Sequence, residues 1–275
     1  MEAIGVCPKG YGPVSGAGQT HAGSGPGSWA EPTEAASNAG HHANDWTFFQ
    51  FLTQCQYWTE NESMSYLTER RQEERDRRRG EIVDAAETLY AELGWDTVTM
   101  DHVARRARLS RALLYVYFKD KADLHFALVE RALDALRVRF EAAREGRPSG
   151  LAEVEAIGRA YFAFARETPH QFDACARFQA HASPDGNLPP NEAACMIVGH
   201  RVHEVIVAAL SRGIADGSVR ADIGDPYVTA LTLWAFTHGL IQIASTKAGA
   251  LQHEGIAVEV FVEHAFGLAL RSLRT

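Results

Sequence analysis

From Ile82 onward, apolar residues recur at the spacing of a helix. Ile82, Ala85, Ala86, Leu89, Tyr90 and Leu93 fall at i, i+3, i+4, i+7, i+8 and i+11, which predicts an amphipathic helix with a broad apolar stripe. Gly94 follows as a stop. Thr99 stands where a second, short helix would take its N-cap, with Val103, Ala104 and Ala107 on the inner face. Ser110 is placed to cap a third helix, whose buried side is Leu114 and Phe118, four apart. Asp120 opens a long fourth helix reaching about Arg144, with Asp123 at the capping-box position and Leu124, Leu128 and Ala132 starting its apolar face. Two short helices joined by a brief connection, between longer ones, form the layout of a helix-turn-helix.

The same period continues downstream. A Gly/Pro/Ser break at 146–150 precedes Leu151, Val154, Ile157, Tyr161, Phe164 and Ala165, and Thr168-Pro169 closes that helix. Phe172, Cys175 and Phe178 mark a short segment, followed by a polar loop at 183–190. A long helix around Val202, Ile206, Ala209, Leu210 and Ile214 stops at Gly217. Asp225-Pro226 opens another, and 258–273 forms the last. No stretch alternates with period two between hairpin turns. The expected fold is all-α, with a three-helix helix-turn-helix domain at 64–122 and a helical domain at 123–275. Residues 226–246 carry no formal charge and are long enough to span a bilayer. Thr229, Thr232, Thr237, His238, Gln242, Ser245 and Thr246 are spread around that helix, however, and predict burial in protein and no membrane.

The first 63 residues read differently. Residues 1–45 hold nine Gly, four Pro, four Ser and eight Ala, too little apolar surface to offset ordering entropy. The expectation for 1–63 is a disordered extension, without the basic start and apolar run of a secretory signal. Trp46–Leu52 and Tyr57-Trp58 interrupt it with an aromatic cluster, readable as a docking segment or a short helix. In the competing reading, which we favour, Met64 is the true initiator and the upstream stretch is an extended annotation.

Charge sharpens the division. The chain of 275 residues has a formal net charge of -8, which taken alone argues against a nucleic-acid binder. Residues 1–63 carry a net of -5, residues 64–147 +1 and residues 148–275 -4. Within 99–121, six basic side chains face only Asp101 and Asp120, a local +4 that is a candidate anion-facing patch. Arginine outnumbers lysine 23 to 4 throughout, so the excess is read as coding bias.

On the third helix, the outward positions offer the Ser110 hydroxyl, the Arg111 guanidinium and the phenols of Tyr115 and Tyr117. Arg111 is the natural base-edge candidate, because a guanidinium forms a two-pronged bond to guanine. Thr99 and Lys121 sit at helix starts, where free backbone N–H groups suit a phosphate. Other constellations are weaker. His200 and His203 are three apart, with His181 or Cys175 as a conceivable third ligand, but helical His pairs are mostly incidental, and no metal site or cofactor is expected. The four cysteines (Cys7, Cys55, Cys175, Cys195) form no CxxC pair. No nucleophile-elbow signature supports an enzyme.

Residues 82–128 resemble the DNA-binding domain of the TetR (tetracycline-repressor) family. The resemblance is carried by Ile-Val-Asp-Ala-Ala-Glu-Thr-Leu-Tyr, Gly94-Trp95, Thr99-Met-Asp-His-Val-Ala104, Ala107-Arg-Leu-Ser-Arg111, Leu114-Tyr-Val-Tyr-Phe118 and Lys121-Ala-Asp-Leu124. It implies phosphate contacts from Thr99, Tyr115, Tyr117 and Lys121, and recognition-helix contacts from Ser110 and Arg111. Two positions depart from the family pattern. Arg108 stands where a turn glycine is frequent, which implies a strained turn. Ala112-Leu113 replaces the frequent Gly-Thr; Leu113 cannot donate a hydrogen bond but can pack on a thymine methyl.

The C-terminal part resembles the family's ligand-binding and dimerisation domain. This implies a cytoplasmic homodimer through the last two helices and a pseudo-palindromic double-stranded DNA operator. It also implies repression relieved by a small apolar or aromatic effector. Tyr161, Phe164, Phe178, His203, Trp234 and His238 are the pocket candidates. The alternative is a helical small-molecule-binding protein or enzyme of the same fold that lacks operator binding.

Overall fold

The computed structural model describes residues 45–181 and 187–275, with side chains described from Tyr66. Ten helices occur among them, and no strand beyond an isolated bridge between Val219 and Arg274. The all-α expectation is met. The expectation of disorder over 1–44 lies outside the described residues. Residues 45–63 belong to the first helix, α1 (Asp45–Leu93). The aromatic cluster and the run that follows contain no proline, so no residue interrupts the backbone ladder.

The residues from Ser63 on form one compact unit. Within it, α1 ends at Gly94, whose φ of 75° is the left-handed conformation that a stop requires. Each anticipated cap is formed. Thr99 Oγ1 accepts from His102 N at 3.2 Å to start α2 (Met100–Arg106), and Ser110 Oγ accepts from Leu113 N at 3.2 Å to start α3 (Arg111–Tyr117). Asp120 accepts from Asp123 N at 2.8 Å to start α4 (Lys121–Arg144), while the Asp123 carboxylate accepts from Lys119 N at 3.0 Å. Between α2 and α3, Arg108 has φ 56°, the left-handed region expected to strain a side-chain-bearing residue.

Ile82, Ala86, Val103, Leu114, Phe118, Leu124 and Leu128 close a first core among α1–α4. Further along α4, Leu136 and Phe140 enter a second core. That core is shared with α5 (Gly150–Glu167), α6 (Pro169–Arg177), α7 (Pro190–Asp216) and α8 (Pro226–Thr246). One continuous helix therefore belongs to both cores. A third, smaller cluster joins α8 to α10 (Val258–Leu273) through Leu240, Ala244, Val262 and Phe266, with the short α9 (Ala248–His253) between them.

Polar ties join the first four helices to α6 and α7. Tyr90 donates to Asp173 at 2.8 Å, Arg177 to Asp96 at 2.9 Å, Gln171 to Glu87 at 2.6 Å and Asn191 to Asp123 at 2.8 Å. The Glu153 carboxylate is buried and is reached by Arg144 at 2.9 Å and by Arg212, which ties α4, α5 and α7 together.

Both α7 and α8 are long and apolar enough to cross a membrane. One side of α8 packs inward through Ala230, Thr237, Leu240 and Ile241. The opposite side leaves Val228, Phe236 and Ile243 exposed in the single chain.

His125 supplies a pH prediction. It is buried against the rings of Trp95 and Tyr90, with Nε2 unpartnered among the described residues. Burial, assisted by Arg177 and Lys121 and opposed by Asp173, lowers its pKa to about 4. A histidine depressed in the folded chain takes up its proton first in the unfolded chain. Stability is therefore lost as pH falls from the unfolded value of about 6.5 toward 4. His125 should account for about 2 kcal/mol of the loss between pH 7 and pH 5. Urea midpoints at the two pH values should converge in His125→Leu; an unchanged difference would show that other groups carry it.

Candidate functional site

The two short helices and their caps set the first candidate surface. Inward-facing Leu114 and Phe118 fix the roll of α3, both fully buried. That roll leaves Arg111, Leu113, Tyr115 and Val116 exposed on the outer side. Arg111 lies 5.7 Å over the Tyr115 ring and 3.4 Å from Asp101, an exposed pair that is easily exchanged for another acceptor. Tyr115 is exposed and so is not a core tyrosine. Tyr117 is half-buried, with its ring packed on the first core. Ser110 and Thr99 have their hydroxyls engaged in the helix caps. The Lys121 ammonium donates to Trp95 O at 2.6 Å and sits 4.8 Å over the Trp95 ring, so it also fastens the α1–α2 turn. Burial draws its pKa below the ordinary lysine value. Val116, the most exposed large apolar residue on α3, was not singled out by sequence; its position between two outward tyrosines was the available signal.

The second site is a cavity of about 520 Å³ lined by residues of α4, α5, α6, α7 and α8. Volumes of this order are typical of small-molecule sites. Tyr161, Phe178, His203, Trp234 and His238, five of the six pocket candidates, line it together. Phe164 does not. It lies nearly one turn beyond Tyr161 on α5, is fully buried in the second core, and has the Arg139 guanidinium 5.5 Å over its ring. Helical spacing places Tyr161 and Phe164 on the same side of α5, but it does not give their depth.

The cavity wall has a defined polar pattern. Tyr161 OH and His238 Nδ1 are 2.8 Å apart, and His238 stacks on Phe172 with centroids 5.0 Å apart. His203 meets Trp234 edge-on at 5.5 Å, and His200 Nδ1 is 2.9 Å from Tyr227 OH. Burial holds His203, with help from His200, and His238 below the ordinary imidazole value, which favours their neutral forms. Among the described residues, no Lys, Arg, Asp or Glu lines the space. Cys175 on α6 and Cys195 on α7, twenty positions apart in sequence, both face it, and burial pushes both thiols up to about 12. They are therefore thiols and not reactive thiolates at neutral pH. Sequence reasoning did not place Tyr227, Met196 or Gly199 here, because facing positions on different helices carry no local signal. Among the described residues, no group of three His, Cys, Asp or Glu is arranged to hold a metal ion.

An exposed, arginine-bearing second helix of a helix-turn-helix is thus joined by one long helix to the domain that holds the cavity, the layout of a helix-turn-helix transcriptional regulator. Comparison with known proteins agrees. The family model described as bacterial regulatory proteins, tetR family, matches residues 82–128, and the tetracyclin repressor-like C-terminal domain model matches 154–266. The chain belongs to the TetR family of transcriptional regulators.

Among curated relatives, it is 37% identical over 62 residues to the HTH-type transcriptional activator FasR of Mycolicibacterium smegmatis. It is 41% identical over 59 residues to the HTH-type transcriptional regulator HbdR of Aromatoleum sp.. Each match covers 22% of this chain, and 28% and 26% of the respective relatives, so the chain spans about a quarter of their length. A crystal structure of a tetR-family regulatory protein from Rhodococcus RHA1 superposes with a TM-score of 0.53 at 15% identity. It covers 72% of this chain and 97% of that one, a likeness of fold alone.

Proposed function

We propose that the protein is a cytoplasmic, homodimeric repressor that holds a pseudo-palindromic operator and releases it when a small, uncharged apolar or aromatic molecule occupies the α4–α8 cavity. The observation that carries this reading is the cavity itself. Five aromatic or imidazole residues anticipated from the sequence converge on one space, with no Lys, Arg, Asp or Glu among the described residues of its wall. Its lining includes α4, whose first turn packs in the core of the helix-turn-helix. An effector that binds one setting of α4 better than another shifts the spacing of the two recognition helices, and only by its differential affinity for the two settings.

The dimer reading is supported by α8 and α10. Val228, Phe236 and Ile243 on the first, and Val260 and Leu268 on the second, leave large apolar side chains in water in the single chain. A second copy would cover them in a four-helix bundle about a two-fold axis. In this reading Ser110, Arg111 and Leu113 meet base edges, while Thr99, Tyr115, Tyr117 and Lys121 meet phosphates. FasR is named an activator, so the direction of control is read by transcription in vitro from the protein's own upstream region.

Gly199 offers the test. It faces the cavity from α7, and a Cβ there would meet only Leu133 Cδ1 at 3.8 Å. Gly199→Phe should fill the cavity without opposing the helix. Operator binding is expected to persist, while the response to any compound that releases the wild-type protein falls at least 10-fold. A variant released as readily as the wild type would place the effector elsewhere.

A further inference from the structure

The arginines of α1 that precede the helix-turn-helix are sorted by side. At 3.6 residues per turn, Leu67, Arg70, Arg71, Glu74, Arg75 and Arg78 share one face, whereas Glu69, Glu73 and Asp76 lie on the opposite one. A coding preference for arginine gives no reason for such sorting. The arginine face also has a fixed neighbour. Leu67, Arg70, Arg71, Glu74 and Arg75 border a cleft of about 470 Å³ whose other wall is Val116 and Tyr117, the last turn of α3. The acid within this face is already engaged, since Glu74 holds Arg77 at 2.6 Å and Arg78 at 3.1 Å. Arg71 and Arg75 are exposed and pair with no carboxylate among the described residues. Arg70 lies 5.9 Å over the Tyr66 ring and likewise pairs with no carboxylate among the described residues. Three unneutralised guanidinium groups thus stand beside the helix that the proposed function places in the major groove.

The geometry points to a second DNA contact: Arg70, Arg71 and Arg75 grip the phosphodiester backbone just outside each half-site. This rests on the DNA-binding reading above and extends it from the helix-turn-helix to a part of α1 upstream of residues 82–128. A groove-bound α3 brings its last turn close to the backbone that walls the groove. Side chains packed across from Val116 and Tyr117 then face the next phosphates along the strand. Guanidinium groups suit such oxygens, while phosphate contacts carry no sequence information themselves. The acidic side of α1 points away and imposes no repulsion there.

The test uses the full chain and its own upstream DNA, as two probes, one trimmed to the protected palindrome and one longer by about 10 bp on each side. Arg70→Ala, Arg71→Ala and Arg75→Ala are combined; alanine keeps the helix, and an unchanged melting temperature checks that the fold survives. On the longer probe the triple variant should bind more weakly, with the slope of log affinity against log salt shallower by about 2–3 per protomer. The ratio of operator to scrambled-DNA affinity should be unchanged, and wild type and variant should differ less on the trimmed probe. A wild-type protein that binds both probes, with a triple variant of the same affinity and salt slope, overturns the contact and leaves the DNA-binding reading standing. So does a variant impaired only in binding phosphatidylserine vesicles. A wild-type protein that binds neither probe overturns both readings.

Discussion

Gly150→Ala should destabilise the protein by about 3 kcal/mol or more, at the upper end of what overpacking a core costs. Gly150 begins α5, where the helix start lies directly on α7. A Cβ built there would stand 2.0 Å from Gly213 N, 2.3 Å from Gly213 Cα and 2.6 Å from Ala209 O. All three are backbone atoms of a continuous helix, so no side chain can rotate aside and the two helices must separate. Separation would also strain the links that seat α5, in which Gly150 N donates to Asp216 at 2.8 Å and Leu151 N to Ser218 at 3.1 Å. Gly199→Ala is the control for the propensity gained when alanine replaces a helical glycine. Its Cβ makes only an ordinary van der Waals contact, with Leu133 Cδ1 at 3.8 Å, and it should be neutral or stabilise by about 0.5–1 kcal/mol. Urea unfolding of the two variants measures the difference. A Gly150→Ala protein as stable as the wild type would mean that α5 and α7 are not in backbone contact.

Arg111→Ala should abolish most sequence discrimination, lowering the ratio of operator to scrambled-DNA affinity roughly 10- to 100-fold. Arg111 opens α3, where N-terminal residues of a recognition helix meet base edges. Its guanidinium is exposed, held only by Asp101 at 3.4 Å and by the Tyr115 ring. Both partners can be left without uncovering a buried group. Fluorescence anisotropy on operator and scrambled duplexes separates the possible roles. A base-reading arginine changes the ratio, whereas a phosphate-binding one weakens both complexes alike and leaves the ratio intact. The three arginines of α1 should give that second pattern, so the two sets of variants serve as controls for one another.

The helix-turn-helix was legible because its determinants are local. Thr99, Ser110 and Asp120 cap helices through bonds that span three residues, and Leu114 and Phe118 declare the buried side by spacing alone. Arg108 shows the same legibility in reverse: an arginine where a glycine would relax the turn does adopt a positive φ. The cavity was legible in part. Aromatic and imidazole residues on helices marked the right domain, but depth depends on how helices far apart in sequence lean together, and Phe164 was misplaced for that reason. Cys175 and Cys195 share a wall only after α6 and α7 pack. The negative total charge pointed away from DNA because it averages over faces, whereas DNA meets one face at a time. Over residues 66–78 of α1, Arg70, Arg71 and Arg75 lie on one side while Glu69, Glu73 and Asp76 lie on the other.

Anisotropy of the protein on its own upstream DNA, titrated with salt from 50 to 200 mM, tests most directly whether this chain grips DNA through an arginine-bearing surface. Affinity is expected to fall steeply and linearly on a log–log plot, by about 10³-fold or more if a dimer engages six or more phosphates. Binding that is insensitive to salt, or absent even at 50 mM, would contradict it.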